Sequence, residues 1–165
     1  MIIFIGDWSF DVDTQNTEAY TKRITDDHCT CGYCRNFYAS VDAVSPNLRP
    51  FLAQFCLDVE GPVEMMPFEP TVCQLTYCAS GTIVSRGSMP IVVDGMVLDV
   101  IEGENLDIDI QCPKPRFAFM TGYMELPWVL DEDMDEVISP ANEPECLQRM
   151  WGKLLENADN CDIIS

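Results

Sequence analysis

Apolar and polar residues alternate from the first positions of the chain: IIFI, then Gly6-Asp7, then WSFDV, with Trp8, Phe10 and Val12 sharing one parity. A period of two on either side of a two-residue Gly-Asp turn predicts a β-hairpin. Asp13 or Thr14 caps a predicted helix to about Ile24, with Tyr20 and Ile24 on one side. From Cys34 to Val44 the period changes, and Phe37, Tyr38, Val41 and Val44 recur at helical spacing. Ser45-Pro46 reads as an N-cap with proline at the first helical position. It would open a second amphipathic helix, through Leu48, Phe51, Leu52, Phe55 and Cys56, that packs on the first and ends at Gly61-Pro62.

Beyond Gly61 the period returns to two. VCQLTYCA is rich in strand formers, and IVV-DG-MVLDV carries an Asp94-Gly95 hairpin turn. LDIDI predicts a strand with Leu106, Ile108 and Ile110 inward and Asp107 and Asp109 outward. RFAFMTGYMEL alternates through Phe117, Phe119, Thr121 and Tyr123. Helices followed by antiparallel strands, with no internal repeat, predict an α+β fold: an N-terminal hairpin, two packed helices and a twisted antiparallel sheet. Residues 1–130 read as one domain. Residues 131–165 read as an acidic, partly irregular segment, with a short helix carrying Cys146, Met150, Trp151 and Leu154.

Charge adds what the pattern cannot. Twenty-eight Asp and Glu against nine Lys and Arg leave a net charge of -19 in 165 residues. Such a chain repels phosphate backbones and anionic membrane surfaces, so neither nucleic acid nor membrane is an expected direct partner. A basic protein, such as a nuclease or another nucleic-acid-binding protein, is the expected one. The N-terminal segment lacks the basic start of a signal peptide, and no apolar run is long enough to span a bilayer, so a cytoplasmic location is expected. In that compartment the nine cysteines stay thiols, bind metal or do redox chemistry.

Three of those cysteines lie in HCTCGYCRNF. Cys29, Cys31 and Cys34 form C-x-C-x-x-C, whose last pair has the spacing by which one turn offers two thiolates to zinc, with His28 first and Cys56, Cys73 or Cys78 otherwise as the candidate fourth ligand. The C-G-Y-C at a helix start also resembles the motif of thioredoxin-fold oxidoreductases, where the helix N-terminus stabilises a thiolate. A polar TKRITDD, not a buried strand, leads into it here. The plain packing alternative is a tight, cysteine-lined helix entry, with Asn36 or Arg35 bound to the turn's backbone. The zinc-deaminase pattern, a phosphate loop and a nucleophile elbow are all absent, so no enzyme is expected.

Together, C-x-C-x-x-C-R-N-F-Y and E-L-P-W-V-L (Glu125 to Leu130) resemble small acidic proteins of gut Firmicutes and their mobile elements. The likeness brings no catalytic residues. As a class, such proteins are similar to inhibitors that mimic DNA charge against nucleases or CRISPR effectors. A non-enzymatic acidic inhibitor, of the anti-CRISPR or nuclease-immunity kind, is therefore the leading expectation. A zinc or thiol-redox protein is the alternative. The inhibitor reading assigns contact with a partner to Asp94, Asp99, Glu102, Glu104, Asp107 and Asp109 near the predicted hairpins. It adds Asp131, Glu132 and Asp133 in the densest acidic run, and Trp128 beside them as an aromatic anchor.

Overall fold

A computed structural model describes residues 1–69, 71–106 and 111–137. In it, β1 (Ile2–Ile5) and β2 (Trp8–Val12) form the expected hairpin, closed by the Ile5–Trp8 pair. Gly6 takes φ 59° at the first central position of the turn, where a side chain would be strained and glycine is at home. The carboxylate of Asp13 then accepts a bond from Asn16 N at 3.0 Å and starts α1 (Thr14–Asp26). Helix α2 (Gly32–Val44) buries Phe37 and Val41, as their spacing requires.

The next helix departs from the pattern at both ends. Helix α3 spans only Leu48–Ala53 and does not start on a Ser45 cap. Ser45 instead ends α2, and its hydroxyl donates to Asp94 at 2.8 Å. Pro50 is accommodated because it lies in the first turn of α3, where backbone N–H groups have no helical partner. At the far end Cys56 adopts φ 60°. Cys56 N bonds Ala53 O at 3.1 Å and Leu57 N bonds Leu52 O at 3.1 Å. That pair of bonds is a Schellman closure, with buried Leu57 folding back over buried Leu52. The apolar period therefore runs past the helix into a turn that continues to bury Phe55.

Strand β3 (Glu64–Glu69), which the pattern did not predict, pairs with the long strand β4 (Val72–Ser85). Pro67 is tolerated in β3 because, among the described residues, that strand hydrogen-bonds only to β4. The hairpin β5 (Ile91–Val93) and β6 (Met96–Glu102) turns at Asp94 (φ 51°) and Gly95 (φ 80°), the pair of positive φ values of a type I′ turn. A single 3-10 turn, Gly103–Asn105, leads to Leu106; the rest of the predicted LDIDI strand lies outside the described residues. Strands β7 (Arg116–Thr121) and β8 (Met124–Glu125) follow, and α4 (Met134–Val137) closes the described chain. The alternation read through Tyr123 breaks at Gly122, which leaves Tyr123 69% exposed. The predicted C-terminal helix, with Cys146, Met150, Trp151 and Leu154, also lies outside the described residues.

All pairings are antiparallel, in the order β1-β2-β4-β7-β6-β5, with β3 and β8 also on β4. Strand β4 is the axis of this sheet. It can serve four neighbours because its far half passes to β2 at Gly81, where φ is 144° and an added Cβ would lie 2.2 Å from Asp11 O. Its middle is buried on both faces. Cys73, Leu75, Tyr77 and Ala79 join the main core, with the α2 and α3 side chains and an aromatic cluster of Phe10, Phe51, Phe55, Phe117 and Phe119. On the other face, Cys78 packs with Tyr20 of α1 and with Cys112, and Thr17 Oγ1 accepts from Ser80 N at 3.1 Å. No helix among the described residues is long and apolar enough to cross a membrane.

Candidate functional site

The cysteine cluster forms where the link from α1 enters α2. Cys31 is the N-cap residue, extended at φ -65° and ψ 162°, and its side chain makes no capping bond. Gly32, Tyr33 and Cys34 follow as the first three helical positions. One turn thus carries Cys31 and Cys34 on the same side, and the reversal before it returns Cys29 to them. The three Sγ atoms lie within 4.8 Å of one another, with Cys34 buried and Cys29 and Cys31 half-buried. Tetrahedral zinc with thiolates at about 2.3 Å needs sulfurs about 3.8 Å apart, so a contraction of about 1 Å at most completes the set. The N-terminus of this 13-residue helix also favours negative charge on sulfur.

Tyr38, one turn beyond Cys34, backs the cluster. Burial first, and then the nearby sulfurs of Cys34, Cys29 and Cys31, push its phenol above the ordinary value, so it stays neutral. The His28 ring lies 4.9 Å from that of Tyr38 with a 41° tilt. His28 is exposed and outside the sulfur group. Three of the four predicted ligands therefore come together and the histidine does not. Cys73 is a different kind of thiol: it lies in a small crevice with Tyr33 and Leu126, and burial pushes it up to about 12.

A strap of residues 126–137 holds the helix entry from outside. Asn36, 3% exposed, donates from Nδ2 to Pro127 O at 3.1 Å and accepts from Val129 N at 2.8 Å. Arg35 donates to both carboxylate oxygens of Glu132, at 2.9 and 2.6 Å, and from Nε to Thr30 O at 3.1 Å. Trp128 Nε1 donates to Glu132 O at 2.8 Å. Val137 lies so close to Gly32 that an added Cβ would sit 1.9 Å from its Cγ1, so any side chain between Cys31 and Tyr33 would displace Val137. The two stretches that carry the resemblance, around Arg35-Asn36 and Pro127-Trp128, are thus bound to one another. Arg35 does hold the turn's backbone, as expected. The link to Glu132 and the pinning by Asn36 were not foreseen; the available signal was a polar residue on the buried side of α2.

The candidate partner-binding acids occupy separate environments. Asp94 accepts from Ser45 Oγ at 2.8 Å, Asn47 N at 2.9 Å and Asn47 Nδ2 at 2.6 Å, and these bonds, those of Asn47 first, hold its carboxyl below the ordinary range. Asp99 is exposed on β6, while Glu102 has the opposite strand parity and pairs with Arg86 at 2.8 Å. Glu104 is exposed on the 3-10 turn. Glu132 is held by Arg35, which lowers its carboxyl. Asp133 accepts from Asp135 N at 2.9 Å at the start of α4. Asp131 is exposed and Trp128 half-buried; Asp107 and Asp109 lie outside the described residues.

Comparison with family models, with curated proteins and with solved structures gives no match. The chemistry has to be read from the side chains themselves.

Proposed function

We propose that this protein binds zinc through Cys29, Cys31 and Cys34, and that the ion fastens the link between α1 and α2 to the helix entry. The observation that carries this reading is the convergence of three sulfurs within 4.8 Å at a helix N-terminus. Three thiolates suit a soft, tetrahedral ion, whose fourth position would be filled by water or a further side chain. His28 stays on Tyr38 and is not a ligand. Metal analysis of protein purified without chelator should find about one zinc per chain, retained in His28→Ala and lost in Cys34→Ser. Folded wild-type protein that neither carries zinc nor takes it up would overturn the assignment.

A second reading has support from the net charge of -19: an acidic protein that binds and inhibits a basic, nucleic-acid-handling protein, as DNA-mimic inhibitors do. Its described carboxylates are all exposed, and since Asp94, Glu102 and Glu132 are engaged by Ser45 and Asn47, by Arg86 and by Arg35, Asp99, Glu104, Asp131 and Asp133 are the ones to test. The two readings are compatible, with zinc as a structural fastener and the acidic surface as the contact. Competition with DNA for a basic partner should weaken as salt rises. Binding unchanged by neutralising Asp99, Glu104, Asp131 and Asp133 together would count against that surface.

A further inference from the structure

We propose that Cys31 and Cys34 are also a two-electron dithiol–disulfide couple, oxidised by peroxide, and that forming the disulfide expels the metal they hold with Cys29. The release rests on the zinc reading above. The argument starts from positions in the helix. Cys31 is the N-cap and Cys34 the third helical residue, so their sulfurs stand over one turn, and the three-sulfur group places them within 4.8 Å. Closing a disulfide brings sulfurs to about 2.05 Å, which side-chain rotation at a helix end can supply. Their exposures differ in a useful way: Cys31 is half-buried and can meet a small oxidant, while Cys34 is buried with its sulfur within 4.8 Å of that of Cys31.

The chemistry balances with hydrogen peroxide as the oxidant. The Cys31 sulfur attacks one peroxide oxygen, the O–O bond breaks and hydroxide leaves, giving a sulfenic acid at Cys31. The Cys34 sulfur then attacks the Cys31 sulfur; the S–S bond forms, the S–O bond breaks and a second hydroxide leaves. Two protons convert the hydroxides to water. The sulfur pair has lost two electrons and the peroxide has gained them. Cys29 alone cannot retain the ion, which leaves as the divalent aqua cation.

The other adjacent thiols make a natural control. Cys112 Sγ lies 3.9 Å from Cys78 O, but both residues are buried under α1, at 2% and 1% exposure, beyond ready reach of peroxide. Cys29–Cys31, one residue apart, would close a strained ring; Cys31–Cys34 lies over a single helical turn, and peptide mapping separates it from the remaining pair, Cys29–Cys34.

The test uses full-length, zinc-loaded protein titrated with hydrogen peroxide. A chromogenic chelator follows zinc, and peptide mapping without reductant follows disulfides. The expected result is about one zinc released per Cys31–Cys34 disulfide, with re-uptake after dithiothreitol. Cys29→Ser should still form that disulfide. Cys34→Ser should stop at a sulfenic acid on Cys31 that dimedone captures. Zinc that binds but survives peroxide, or release with a disulfide mapped elsewhere, overturns the couple and leaves the metal reading standing. A folded chain that takes up no zinc overturns both the metal reading and the release, whichever disulfide forms.

Discussion

Replacing Asn36 by alanine should cut the strap from the helix entry. Two bonds are lost, the 3.1 Å donation to Pro127 O and the 2.8 Å acceptance from Val129 N. Each is a neutral hydrogen bond, for which the net contribution is about 1 kcal/mol. Both bonds are only part-buried, so the full penalty for a deeply buried, unpaired atom does not arise. The expected loss is therefore about 2 kcal/mol, or roughly 4–8 °C in Tm for a chain of this size. Urea unfolding followed by circular dichroism gives the global value. Trp128 emission reports the strap itself, because the indole N–H is bonded to Glu132 O within it. Asn36→Asp should retain the bond from Val129 N, set a carboxylate against Pro127 O, and lose at least as much. A loss below about 0.5 kcal/mol in Asn36→Ala, with Trp128 emission unchanged, would refute the idea that Asn36 holds the strap.

Three further outcomes follow from the geometry. Cys56→Gly should stabilise the protein by up to about 1 kcal/mol in urea unfolding, because φ 60° strains a side-chain-bearing residue at the Schellman position; an unchanged or lower midpoint would argue against that strain. Tyr77→Phe should cost about 1–2 kcal/mol, since its buried hydroxyl donates to Val59 O at 2.8 Å; equal midpoints for variant and wild type would show that bond to be worthless. Asp94 has a folded-state pKa below its ordinary 3.8, so its contribution is complete above about pH 4 and is lost as pH falls through the lowered value. Stability measured from about pH 5 to 2 should therefore fall less steeply in Asp94→Asn than in wild type, and parallel slopes would contradict this.

Much of the local structure was legible. Gly6-Asp7 and Asp94-Gly95 named their hairpins because a turn needing positive φ selects among very few residues. Asp13-Thr14 named the start of α1, and of the two Asp13 is the cap, because its carboxylate meets a free backbone N–H. Strand β3 was hidden by Pro67, which is a poor strand residue in general and a tolerable one on an open edge. Ser45 looked like a cap and became a partner of Asp94, a residue 49 positions away that no local rule could nominate.

The sequence by itself determined most of the elements and the spacing of Cys29, Cys31 and Cys34, because dihedral preferences, turn chemistry and residue spacing act over a few positions. Tertiary structure decided that those sulfurs converge without His28, and that β4 is covered on both faces. It also decided that Arg35 meets Glu132 across 97 positions and Asn36 meets Pro127 across 91. Such pairings depend on how the whole core closes, and a charge or amide in sequence carries no mark of the partner that packing will bring to it.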